Sequence, residues 1–393
     1  MSRTTAAARI ATRRRALAGL LCAVVVGCSS SGDAALPSSQ VPEPADSNGG
    51  VPTTSVAPTT TSSASATTVA VTTAPTSTVG APTTASPPPA PYPAGLTEHT
   101  IDVDGAPRSF LVHVPTGLGV PRAVVLVLHG GGGTGVGVAD EGTNPLAVFR
   151  EVADREGLVI VYPAGLPAND REGNPGWADC RSDNATSSGA DDVGFLAALI
   201  GLLGDQYAVP SEQIFVAGGS NGAQMTHAFA FHHPELVGAA ASSAGSLPAS
   251  PRPGPCTDGP ARPVPMLLVH GSADTAMPYQ GGCVANLGGA CRRGSVVSAE
   301  ATRDRWLAIN GLIGVAPTET VVEIDQGDGG PAHRFVYDGP TPVEWWRLDG
   351  AGHTVASRTV LIPPTSATGI QSRDIEFAEV AWAFFAQRLT AAG

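Results

Sequence analysis

The chain has 393 residues, a formal net charge of −12 and no lysine, so every one of its 22 basic side chains is an arginine. With no basic stripe to neutralise phosphates, nucleic acid is excluded as a partner. The missing lysine also excludes a Ser-Lys dyad, a Schiff base and a P-loop lysine.

The first 28 residues read as an export signal. Arg3, Arg9, Arg13, Arg14 and Arg15 form a basic start, and 16–26 is an apolar run too short to span a bilayer comfortably. It ends in Val25-Val26-Gly27-Cys28, which resembles a bacterial lipobox and predicts lipidation at Cys28 and a membrane anchor; an ordinary signal peptide is the alternative. The arginine pair carries a weak twin-arginine signature. Residues 29–93 are rich in Ser, Thr, Pro and Ala, with almost no charge and no aromatic before Tyr92. Such a segment cannot bury enough apolar surface to offset its ordering entropy, so a linker is expected. Residues 94–393 remain for one folded domain.

In that domain, 108–114 alternates like an edge strand, and 123–128 is a continuous apolar run expected of a strand buried on both faces. A helix is expected over 145–156 and a strand over 158–162. A long Gly-, Asn- and Asp-rich loop covers 165–190. A helix over 191–207 follows, with Asp191 or Asp192 near its N-cap. The strand 213–216 leads into a helix over 221–232. Strands at 237–241 and 265–269, a helix at 298–310, strands at 321–324, 333–337 and 343–348, and an amphipathic helix over 373–389 complete the order. Strands alternating with helices predict an α/β fold, a mostly parallel sheet covered by helices on both faces, with ligands beyond the carboxyl ends of the strands. Cys180, Cys256, Cys283 and Cys291 allow two disulfides in an exported chain. Local pairing of Cys283 with Cys291 leaves Cys180 for Cys256, and free thiols are the alternative.

Chemistry concentrates at the strand ends. Gly218-Gly219-Ser220-Asn221-Gly222 is a G-x-S-x-G turn between a strand and a helix, the context in which the serine acts as a nucleophile. Asp274 follows one later strand and His353 follows another, giving the order Ser, Asp, His expected of an activated serine. Asp349 is the alternative acid. Asp191, Asp192, His129, His270, His232 and His233 are expected to be structural. The backbone N–H groups of Asn221 and of Gly131, in the loop His129-Gly130-Gly131-Gly132-Gly133, are the expected oxyanion donors, with Gly132 next in line. No spacing suits a zinc site, and the triad needs neither metal nor cofactor.

These segments resemble an extracellular esterase family of the α/β-hydrolase fold. It includes polyhydroxybutyrate depolymerase-like and feruloyl esterase-like proteins, some of them bacterial lipoproteins. The resemblance rests on Leu128-His129-Gly130-Gly131, Asp191-Asp192-Val193-Gly194-Phe195, the Ser220 turn, His270-Gly271-Ser272-Ala273-Asp274 with Pro278-Tyr279, and Gly352-His353-Thr354. It implies the triad Ser220, Asp274 and His353 and an ester substrate, possibly polymeric, outside the cell. One departure is Val355, where members often carry tryptophan after the threonine. Trp177, Trp345 and Trp346 are candidates either to line an acyl pocket or to fill the core. Envelope acyl transfer by the same triad and a non-catalytic binding role are the competing expectations, and a monomer is expected.

Overall fold

The structure, a computed structural model, describes residues 91–168, 173–285 and 291–390. The expected signal, the lipidation site Cys28 and the expected linker lie outside the described residues. Among the described residues no helix is long and apolar enough to cross a membrane.

Ten strands form one sheet. In chain order they are β1 (Gly95–Val103), β2 (Ala106–Val114), β3 (Ala123–Leu128), β4 (Leu158–Pro163), β5 (Ile214–Gly219), β6 (Ala239–Ser243), β7 (Met266–Gly271), β8 (Thr318–Val322), β9 (Ala332–Tyr337) and β10 (Val343–Leu348). Their order across the sheet is β1-β2-β4-β3-β5-β6-β7-β10-β9-β8. The stretch from β4 to β10 is parallel throughout, and antiparallel strands close both edges. The segment at 108–114 is therefore not the edge. An unexpected strand, β1, lies outside it, joined through Asp104-Gly105, both at positive φ. An Asp-Gly pair with that backbone is a favoured two-residue hairpin turn.

The helices are α1 (Phe149–Glu156), α2 (Asp192–Tyr207), α3 (Asn221–His232), α4 (Ala299–Ile309) and α5 (Phe377–Thr390). They explain why β3 is apolar at every position. Val124, Leu126 and Leu128 of β3 pack with α2, α3 and α4 on one face. Val125 and Val127 pack with α1 and α5 on the other. Successive side chains of a strand alternate faces, so two covered faces demand an unbroken apolar run. The last helix begins at Phe377 rather than 373. Before it, the Asp374 and Glu376 carboxylates accept backbone N–H groups of Asp325 and Arg358, which holds this stretch away from helical continuation.

Asp191 caps α2, accepting the Gly194 N–H at 2.8 Å. Asp192 turns inward and joins three elements. It meets Arg108 of β2 at 2.5 Å and accepts the Ala178 N–H at 2.7 Å. The Arg108 guanidinium lies 4.0 Å from the Phe195 ring centre. Burial raises the Asp192 pKa, against the pull of the Ala178 N–H and Arg108. Removing one member of such a pair leaves a buried charge unmatched. Asp192→Ala should therefore lose about 3–5 kcal/mol in urea unfolding, and the double replacement Asp192→Leu with Arg108→Met should lose clearly less. Equal losses would show that the pair is not what holds this corner.

Candidate active site

The site is built on one sharp turn. Strand β5 ends at Gly219 and helix α3 begins at Asn221, with Ser220 between them at φ 56° and ψ −121°. That backbone is strained for a residue with a side chain and persists only when its surroundings enforce it. Two glycines permit it. A β-carbon at Gly218 would lie 2.5 Å from the Gly222 carbonyl carbon, and one at Gly222 would lie 2.3 Å from the Leu128 oxygen. The Ser220 N–H is anchored at 2.9 Å on the Ser243 carbonyl at the end of β6.

The structure brings Ser220, His353 and Asp274 into one hydrogen-bonded line. Ser220 Oγ lies 2.8 Å from His353 Nε2. His353 Nδ1 lies 2.8 Å from Asp274 Oδ2. A proton on Nδ1, favoured by the adjacent carboxylate, leaves Nε2 free to accept from the hydroxyl. Asp274 follows β7 and is buried, and its other oxygen accepts the N–H groups of Ala276 at 2.9 Å and Met277 at 2.8 Å. His270 Nε2 is 3.5 Å from Asp274 Oδ2, while its nearer partner is the Met277 carbonyl at 2.9 Å. It thus acts on Asp274 as a neighbouring dipole rather than as a direct donor. Burial raises the Asp274 pKa, but the imidazoles of His270 and His353 outweigh it and hold the group at about 2. Asp349 is not in this line; it pairs with Arg347 at 2.7 Å and faces His333 at 3.4 Å.

Over the serine passes the glycine loop at 130–133. A β-carbon at Gly130 would stand 3.3 Å from Ser220 Cβ. The Gly132 N–H is spent on the Pro175 carbonyl at 2.7 Å, and that of Gly133 on Gly130 at 3.0 Å. Gly131 and Asn221 keep N–H groups without a partner among the described residues, and the latter opens a helix whose first donors lack intrahelical acceptors. His129 shapes the loop. It is buried and accepts the Gly165 N–H at 2.9 Å, and burial lowers its pKa to about 4 despite its bond to the Gly130 carbonyl.

Sequence reasoning missed the support behind the turn. The Asn221 carboxamide accepts the Trp177 N–H at 2.7 Å and donates to Asp179 at 2.7 Å. Asp179 is in turn held by Arg181 at 2.6 Å, both side chains being buried. The structure pairs Cys180 with Cys256 and Cys283 with Cys291, so the His232 ring beside Cys256 faces a disulfide rather than free thiols. Trp177 lines a cavity beside Ser220 and donates its indole N–H to the His129 carbonyl at 2.8 Å. Trp345 and Trp346 are core residues on opposite faces of β10. Val355 lines a second cavity on the other side of the serine.

The depressed Asp274 pKa carries a sign. Its ionised form is favoured by folding, so its stabilisation is full above the unfolded carboxylate pKa of about 4 and is lost as pH falls through 2. Between pH 4 and pH 2, urea unfolding should show the wild type losing about 2 kcal/mol more than Asp274→Asn. Parallel pH profiles for the two proteins would show that His270 and His353 do not hold Asp274 ionised in this way.

Comparison with known proteins agrees with this architecture. The phospholipase/carboxylesterase family matches residues 113–286. An acetylxylan esterase of Coprinopsis cinerea is 30% identical over 165 residues, which cover 41% of this chain and 42% of that one. Feruloyl esterase B of Neurospora crassa is 28% identical over 138 residues, covering 34% and 42%. The provisionally assigned esterase NocK of Nocardia uniformis subsp. tsuyamanensis is 28% identical over 220 residues, covering 50% and 60%. The chain thus spans less than two thirds of the length of each of these relatives. Among solved structures, an acetyl xylan esterase from Aspergillus awamori superposes with a TM-score of 0.48 at 18% identity, covering 66% of this chain and 94% of that one. The mostly parallel sheet, the strained serine at the strand–helix junction and that partial family match together give the chain the α/β-hydrolase fold.

Proposed function

We propose that this protein is a serine carboxylic-ester hydrolase working outside the cell through an acyl-enzyme. The observation that carries the reading is the unbroken line Ser220 Oγ, His353, Asp274, with links of 2.8 Å and 2.8 Å, beside the unpartnered N–H groups of Gly131 and Asn221. In the first half-reaction Ser220 Oγ attacks the ester carbonyl while His353 Nε2 takes its proton. Asp274, ionised throughout the neutral range, stabilises the imidazolium. The carbonyl oxygen, now negative, is met by the N–H groups of Gly131 and Asn221, donors of the kind worth about 3–4 kcal/mol each in a transition state. The alcohol leaves with the proton from His353. Water then repeats the sequence on the acyl-enzyme and frees the acid.

The substrate is an acetyl, feruloyl or hydroxyalkanoate ester. The first two classes are those that the names of the relatives specify. The basic, then apolar start of the sequence, its lipobox-like end at Cys28, the Ser-, Thr- and Pro-rich stretch 29–93 and the two disulfides support a place outside the cytoplasm, with lipidation at Cys28 as part of the proposal. No cofactor is needed. The test is release of p-nitrophenol from its acetate and butyrate esters by the purified chain. Ser220→Ala should lower kcat/KM by about four orders of magnitude at unchanged fold, and His353→Ala similarly. Turnover that survives Ser220→Ala would overturn the proposal. Transfer of the acyl group to an added sugar in preference to water would recast the enzyme as a transferase using the same residues.

A further inference from the structure

Two cavities meet at Ser220, and they differ in chemistry. The one beside Leu146 is lined mainly by Val138, Pro145, Leu146, Val355 and Ile362, and its volume is about 230 Å³. The one beside Trp177, about 290 Å³, carries Asn184, Ser187, Ser188, Gln224, Arg181 and Arg293. Among the described residues no aspartate or glutamate lines either cavity, in a chain whose net charge is −12. A lining that carries arginines and no carboxylate among the described residues favours an anionic group over a cationic one.

The two arginines are not equivalent. Arg181 is matched by Asp179 at 2.6 Å. Arg293 is half-buried, and its guanidinium has no carboxylate within ion-pair distance among the described residues. Its backbone is well fixed. It bridges to Asn184, its carbonyl accepts from Arg181, and the neighbouring Arg292 and Gly294 carbonyls accept from Ala185 and Val284 at 2.9 Å each. The nearby loop acid Asp183 is engaged by the Ser295 hydroxyl at 2.6 Å. Independently, Gln224, one helical turn after Ser220, is 4% exposed, and neither polar atom of its carboxamide has a partner among the described residues. A buried amide normally finds one, so an unmet hydrogen-bonding demand sits beside the nucleophile as well as an unmet positive charge.

We propose that the Trp177-side cavity selects esters carrying a carboxylate, on the acyl or the alcohol half, with Arg293 as the pairing cation and Gln224 as a neutral hydrogen-bonding partner. One unpaired guanidinium matches one negative charge, and its planar fork suits a carboxylate. The neutral cavity opposite takes the uncharged half. The inference rests on the ester-hydrolase reading above.

Two matched substrate pairs test it and tell the halves apart. For the acyl half these are the mono-p-nitrophenyl ester of glutarate and p-nitrophenyl pentanoate. For the alcohol half they are para-acetoxybenzoate and its methyl ester. The quantity read is the ratio of kcat/KM for the charged to the neutral member. In one pair Arg293→Gln should lower this ratio about tenfold, chiefly through KM, because a remote ion pair binds substrate and transition state alike. Arg293→Lys should retain most of the ratio, and about 0.5 M salt should shrink it in the wild type. Ratios unchanged within about twofold in both pairs for Arg293→Gln would overturn the proposal while leaving ester hydrolysis standing. No turnover of any ester, charged or neutral, by the wild type would overturn both readings.

Discussion

Everything in the site depends on holding Ser220 in a backbone conformation that a serine would not adopt alone. At φ 56° and ψ −121° the residue stores strain, and the fold must supply what opposes it. The opposition comes from both sides of the turn. β5 is hydrogen-bonded between β3 and β6, so its end cannot drift. Helix α3 is buried along nearly its whole length and cannot rotate to relax the junction. The absence of side chains at Gly218 and Gly222 lets these rigid pieces meet closely enough for the turn to exist. The result lifts a hydroxyl out of the sheet and, by the same geometry, aims the first free N–H of a helix at the space beside it. The proposed nucleophile and the proposed oxyanion donor are two consequences of one constraint.

The second organising element is a carboxylate that stays charged although it is buried. Burial alone would raise the Asp274 pKa and disfavour its charge. Four groups prevent this: two backbone N–H donors on Oδ1, the His353 ring on Oδ2, and His270 behind it. The backbone donors also fix the direction in which Oδ2 points, so His353 is held by an acceptor that cannot turn away. His353 itself lies on a loop, and its side chain is about one fifth exposed. Its orientation therefore comes from Asp274 and Ser220 rather than from packing.

How much of this is legible in the sequence follows from the range over which each demand acts. The Ser220 turn is legible because its requirements are local: a strand, a helix and glycines on either side, within five residues. The central strands are legible because two covered faces write a continuous apolar run. Strand β1 escapes because it is a half-exposed edge, without such a run, although its Asp104-Gly105 turn was there to be read. The start of α5 is misread because the sequence period runs on into residues whose side chains are committed to distant backbone groups. The Asn221–Asp179 contact spans 42 positions, and no local pattern announces it. The same holds for Gln224 and Arg293, which become noticeable only when the fold shows what they lack.

These last residues share a structural circumstance. Gln224 apart, which rides on the buried helix α3, they or the partners that hold them sit on loops outside the sheet, where little apolar surface is available to fix a chain. The satellite cluster under this region consists of Met277, Val284 and Val296, with Ala285 against it. A core that small cannot by itself order the loops around a ligand site. Covalent links act in its place. Cys180 lies between Asp179 and Arg181, the pair that steadies the Asn221 carboxamide, and is tied to Cys256 across 76 residues. Cys291 lies two residues before Arg293 and is tied to Cys283, which adjoins Val284 on the cavity wall. The sheet therefore orders the reacting groups, while the crosslinked loops order the groups that meet the rest of the substrate. A division of this kind lets the loops vary in sequence, and the proposed ester preference vary with them, without disturbing the strained turn that carries Ser220.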